Sequence, residues 1–73
     1  MPITDDNLED VFRHHPPTTV QVDHYHAIRQ AAMTLAETIL RYTKTCDDQQ
    51  AALRHVRDAM MTANAAVALD GNV

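Results

Sequence analysis

Residues 18–50 read TTVQVDHYHAIRQAAMTLAETILRYTKTCDDQQ. Apolar side chains recur in this stretch at Val22, Tyr25, Ile28, Ala32, Leu35, Ile39 and Tyr42, in steps of 3, 3, 4, 3, 4 and 3. That period puts them on one face only if the chain is an α-helix. No glycine or proline falls between Thr19 and Thr43, so the spacing predicts one helix roughly 37 Å long at about 1.5 Å per residue. Thr18 or Thr19 caps its start. Thr43-Lys44-Thr45-Cys46-Asp47 breaks the period. Asp47 can then cap another helix, with Gln50 three residues on as its capping-box partner. The new stripe is Leu53, Val56, Met60, Ala63 and Val67, in steps of 3, 4, 3 and 4, and Gly71 is its natural stop. Two long helices joined by so short a break lie antiparallel, as a helical hairpin.

Upstream, Pro16-Pro17 ends a shorter helix, because a residue before proline avoids helical angles. Thr4 can cap it, with Asp5 and Asp6 in a first turn that favours carboxylates. Leu8, Val11 and Phe12 give it one apolar edge. At about nine residues it is too short to persist unless docked. The expected architecture is all-α: a single domain over 1–73, with a short helix about 5–13 and long helices about 19–43 and 48–69.

A chain of 73 residues buries only about 60% of its unfolded surface. Small folds make up the difference with disulfides, a metal or partner subunits. Cys46 is the sole cysteine, so no internal bridge forms, and it reads as a turn residue rather than a nucleophile. Alanines crowd the flanks of both stripes at Ala27, Ala31, Ala36, Ala51, Ala52, Ala59, Ala66 and Ala68. They let helices approach closely but bury little area each. A two-helix hairpin also leaves much of its surface half covered, so self-association into a homo-oligomer is expected. Met33, Met60 and Met61 fill gaps between subunits or, equally, an ordinary core.

The net charge is −4 with histidines neutral. An acidic chain has no basic face for long DNA or RNA. No apolar run reaches the roughly 20 residues that span a bilayer. The first ten residues carry no signal-peptide pattern, so a soluble, cytoplasmic protein is expected.

Cationic and imidazole groups gather in Phe12-Arg13-His14-His15-Pro16-Pro17-Thr18-Thr19, just before a helix N-terminus. Unpaired amide N–H groups there suit a small anion; plain surface charge is the other reading. Arg29 adds a guanidinium fork matched to phosphate oxygens. Within one chain it lies roughly 15 Å along the helix from the proline corner, so the two meet on one ligand only if subunits interlock. Asn64 interrupts the apolar run of residues 60–67; its carboxamide either pairs with a neighbouring helix or reads a ligand edge. His24 and His26 point about 200° apart and cannot share an ion within one chain. No cysteine joins the histidines at zinc spacing, so no metal site is expected. With neither a glycine-rich loop nor a nucleophile elbow, no enzyme is expected.

Taken in order, Phe12-x-x-His15-Pro16-Pro17, Tyr25-x-x-Ile28-Arg29-x-x-Ala32-x-x-Leu35-Ala36-x-x-Ile39 and Ala63-Asn64-Ala65-Ala66-Val67-Ala68 resemble the helical-hairpin family of phage anti-CBASS sponges. That hairpin is shared with sponges that counter Thoeris defence. The resemblance spans about residues 10–70. It implies a non-catalytic hexamer, without cofactor, that sequesters cyclic dinucleotides such as cyclic GMP–AMP in the cytoplasm of an infected bacterium. Pockets of the family form between subunits. They use the residue before the His-Pro-Pro turn to stack on a base and a basic residue of the long helix to hold phosphate. Here those positions are His14, where the family commonly has tyrosine, beside His15, Pro16 and Pro17, and Arg29. Some members bind cyclic trinucleotides through the asparagine matched by Asn64 and an arginine whose position is Leu69 in this chain. A helical adaptor that docks on another protein is the alternative function.

Overall fold

The structure, a computed structural model, describes residues 2–13 and 16–70. Three helices follow in order: α1 at Leu8–Phe12, α2 at Thr19–Tyr42 and α3 at Asp47–Ala68. α2 and α3 pack along one another, while α1 packs against neither. Helix and turn make up every described element, so the fold is the all-α hairpin that the apolar period predicts.

Local chemistry sets each boundary. Of the two threonines, Thr18 caps α2: its Oγ1 accepts from the Gln21 N–H at 3.2 Å, and Gln21 Oε1 accepts from the Thr18 N–H at 3.0 Å. This reciprocal pair satisfies two amides that the helix start would leave orphaned. α3 begins one residue earlier than the aspartate pattern suggests. Cys46 is its N-cap and takes the Gln49 N–H on Sγ at 3.4 Å. Asp47 and Asp48 fall in the first turn, where their charges oppose the positive end of the helix dipole. The capping partner is therefore Gln49 and not Gln50. α1 is shorter than the expected 5–13, because residues 5–7 form a turn. Asn7 holds that turn by accepting the Thr4 N–H at 2.7 Å, so Thr4 does not cap a helix. At the far end α3 stops at Ala68, and Asp70 takes the left-handed backbone, φ 51°, expected of a glycine. Gly71 lies outside the described residues.

Two glutamines tie the hairpin shut. Gln21 Nε2 donates to the Val67 carbonyl at 3.0 Å, across 46 residues of sequence, and closes the open end. Gln49 Nε2 donates to the Thr43 carbonyl at 3.3 Å and closes the turn end. Gln49 is the only residue buried below one-tenth exposure among those described, at 4%. Within α2 the threonines at 34 and 38 turn their hydroxyls onto carbonyls four residues back, at 3.0 and 2.8 Å. That local bond lets polar residues sit mid-helix without an orphaned hydroxyl. Replacing Gln21 by alanine should remove half the capping box and the clamp together. A loss of about 1–2 kcal/mol corresponds to a melting point lower by roughly 4–16 °C for a chain of this size. Circular-dichroism melts at fixed concentration measure it.

The seam is thin. Val22, Tyr25, Ile28, Ala32 and Ile39 of α2 and Leu53, Val56, Met60, Ala63 and Val67 of α3 are each only half-buried. Leu35 and Tyr42, part of the expected stripe, are 52% and 77% exposed. No apolar side chain among the described residues is fully buried.

Candidate ligand-binding site

Arg29 sits ten residues into α2, on the side turned away from the middle of the seam. With His26, Gln30 and Met33 it lines a shallow hollow of about 310 Å³. Those residues follow the i, i+3, i+4, i+7 pattern of one helix face, and all four are exposed. Among the described residues the one ion pair is Asp10 with Arg13. The Arg29 guanidinium therefore faces the hollow with its five donors uncommitted, beside the imidazole of His26 and the apolar flank of Met33. A charged fork next to a carboxamide and an apolar wall can hold a phosphate oxygen and the edge of an attached ring.

The proline corner is built for display. Pro16 and Pro17 are exposed and lead straight into the Thr18 cap. His14 and His15 lie outside the described residues. Arg29 stands roughly 15 Å along the α2 axis from the helix start. One hairpin therefore does not bring Arg29 and the prolines to one point.

The larger cleft is elsewhere, between the start of α2 and the end of α3. It measures about 520 Å³ and is lined by Thr18, Gln21, His24 and Asp70 among others. The Thr18 and Gln21 amides there are already used by the capping box, and the Asp70 carboxylate disfavours an anion. His24 faces this cleft while His26 faces the Arg29 hollow, so the two imidazoles serve different surfaces. Among the described residues no three His, Cys, Asp or Glu side chains converge on a point that a metal could occupy.

Two apolar grooves flank the seam. One, about 320 Å³, includes Ile28, Ala31, Leu35, Ala59 and Ala63. The other, about 180 Å³, includes Met33, Ala36, Leu53 and Arg57. Ala32, Val56 and Met60 line both and mark the centre of the seam. Asn64 is half-buried on α3, and its Oδ1 is shut from solvent without a hydrogen-bond partner among the described residues. An unmade bond of this kind costs about 1–3 kcal/mol. Leu69 forms the C-cap of the same helix.

Sequence reasoning passed over Gln21 and Gln49, whose side chains make the hydrogen bonds that close the two ends of the hairpin. Gln21 had a local signal, since it stands three residues after Thr18 in the capping-box pattern. Its second bond to Val67 had none.

No curated protein and no solved structure gives a significant match to the chain. No helix among the described residues is long and apolar enough to cross a membrane. The model of the Acb2/Tad1 hairpin domain matches residues 4–68, which takes in α1, the proline corner and the whole α2–α3 pair. This chain belongs to the Acb2/Tad1 hairpin family.

Proposed function

We propose that the chain is a non-catalytic sponge that sequesters cyclic dinucleotide second messengers, such as cyclic GMP–AMP, and so blocks CBASS immunity in the cytoplasm of an infected bacterium. Family membership fits a sponge role in general. The observation that carries the finer reading is Arg29, an uncommitted guanidinium facing an open hollow on the outer side of α2. The remaining parts of the pocket are His14, His15, Pro16 and Pro17 of a neighbouring copy. The assembly is a homo-oligomer, a hexamer by the resemblance. Its physical support is the lack of any fully buried apolar residue among those described, which leaves the hairpin short of the burial that a stable domain needs. Two apolar grooves, one on each side of the seam, give every copy two sticky sides, and two distinct sides carry an assembly beyond a dimer.

Purified protein incubated with cyclic GMP–AMP and then heat-denatured should return the ring chemically intact, as read by chromatography and mass spectrometry. A linear or cleaved product would make the protein an enzyme instead. Calorimetric titration against a panel of cyclic di- and trinucleotides and cyclic ADP-ribose products then sets the preference. Leu69 offers no charge where trinucleotide-binding members carry arginine, so Asn64→Ala should leave dinucleotide affinity unchanged. The exposed grooves also suit a helical adaptor that docks on another protein. Light scattering after size exclusion separates the readings, since a monomer at micromolar concentration fits the adaptor and opposes the sponge.

A further inference from the structure

The chain is acidic overall, at −4 with histidines neutral, so an anion that approaches it depends on local cations. The Arg29 hollow gathers a fixed cation and a titratable one. Its walls are His26, Arg29, Gln30 and Met33, all from α2, and no acid lines it. His26 stands three residues before Arg29 on the same helix face, with the two Cβ atoms about 5–6 Å apart. Both side chains are exposed. His26 makes no ion pair or side-chain hydrogen bond among the described residues.

The other described histidines are placed differently. His24 looks into the cleft that holds Asp70. His55, on α3, lines neither that cleft nor the hollow. Few charged groups surround His26. On its own helix they are Arg29 and, three residues earlier, Asp23, and neither Asp23 nor His26 enters an ion pair among the described residues. α3 contributes no residue to the hollow, and α1 packs against neither long helix. In the assembled pocket of the sponge reading, the neighbouring copy adds Arg13, His14 and His15.

We propose that His26 is a second phosphate ligand for the cyclic dinucleotide and that it binds as imidazolium, so that capture takes up a proton. This rests on the sponge reading and adds to it a binding residue and a pH dependence. The ring carries two phosphodiester charges, and the Arg29 guanidinium answers one. Imidazole is the side chain that changes charge near neutrality, whereas the phosphodiesters stay ionised there. An anion set beside an imidazole favours its protonated form. That form offers two charge-assisted N–H donors where the neutral ring offers one N–H. Binding therefore tightens as pH falls through the range of the imidazole, and it levels off once the free side chain is itself protonated. The hollow is open to water, so the gain is that of a surface charge pair, about fivefold.

The test is calorimetric titration of full-length protein with cyclic GMP–AMP from pH 8.5 to 5.5. At pH 7 it is repeated in two buffers of different ionisation enthalpy, whose difference in heat counts the protons taken up. Wild-type protein should bind about fivefold tighter at the acid end and take up part of a proton at pH 7. His26→Gln keeps an N–H donor without a titrating group, so its pH slope and its proton uptake should both fall below wild type. His26→Arg should bind at pH 8.5 as tightly as wild type does at pH 5.5, with the same loss of slope. Both replacements are better helix formers than histidine, and light scattering at each pH should show the assembly unchanged. Equal slope and uptake in wild type and His26→Gln would assign the proton to another group and overturn the inference. Wild-type binding that does not vary with pH would overturn it too. So would a loss in His26→Gln that is the same at every pH, since His26 would then be a neutral contact. In each of these cases wild-type protein still binds the ring and the sponge reading stands. Wild-type protein that binds no cyclic GMP–AMP at any pH removes both.

Discussion

Arg29→Ala should weaken cyclic dinucleotide binding by about 10- to 100-fold, with the assembly and the helical signal unchanged. A hydrogen bond to a charged group contributes about 1.5–3 kcal/mol, which sets that range at about 1.4 kcal/mol per tenfold. The side chain is exposed, faces a hollow rather than the seam, and holds no acid among the described residues. Its removal therefore leaves the contacts that close the hairpin in place. Alanine is also at least as good a helix former as arginine, so the fold gives no second reason for a loss. Arg29→Lys should recover part of the affinity, because it keeps the charge but not the planar fork. Calorimetry run beside light scattering reads both quantities. Wild-type affinity in the alanine variant would remove Arg29 from the site.

Val56→Asp should unfold the protein. Val56 lines both grooves and stands at the centre of the seam, opposite Ala32 and beside Met60. Apart from Arg57, which lines one of the two grooves, the side chains around Val56 are apolar. At this half-buried position an ionised group gives up part of its hydration and loses the apolar contact that Val56 makes, a cost of about 3 kcal/mol. Small domains hold only about 0.05–0.15 kcal/mol per residue in reserve, and this seam has no fully buried apolar side chain to add to that. Loss of the helical circular-dichroism signal at 25 °C is the expected result, whereas Val56→Ala should melt earlier yet remain helical. For the wild-type protein the same reasoning makes the melting temperature rise with protein concentration, since association stabilises the folded chain by mass action. A cooperative melt independent of concentration would mean that one hairpin is stable alone.

The local parts of this molecule were legible because their causes are local. A 3-and-4 spacing of apolar residues has only one backbone that makes it a face, and a threonine just before such a run, here Thr18, caps it. The errors were local as well. Cys46 took the cap from Asp47 because its Sγ, one residue earlier, reaches the Gln49 amide. Asp70 took the left-handed turn because its short polar side chain tolerates that backbone better than most. Of the candidate site, Arg29 was legible as a charge on a helix but not as a charge without a partner. Its freedom depends on what every neighbouring acid does.

By itself, the order of residues determined three helical segments, the antiparallel pairing of the long two, and a chain too small to close a core. Periodicity, capping and surface-to-volume scaling act over a few residues or over the whole length, and neither requires coordinates. Only the tertiary structure decided which side chains are left open. It set Gln21 on the Val67 carbonyl across 46 residues, left Phe12 off the hairpin, and put Met33 between the Arg29 hollow and the Arg57 groove. Those relations join residues far apart along the chain, and they exist only once two helices share one crossing and one register.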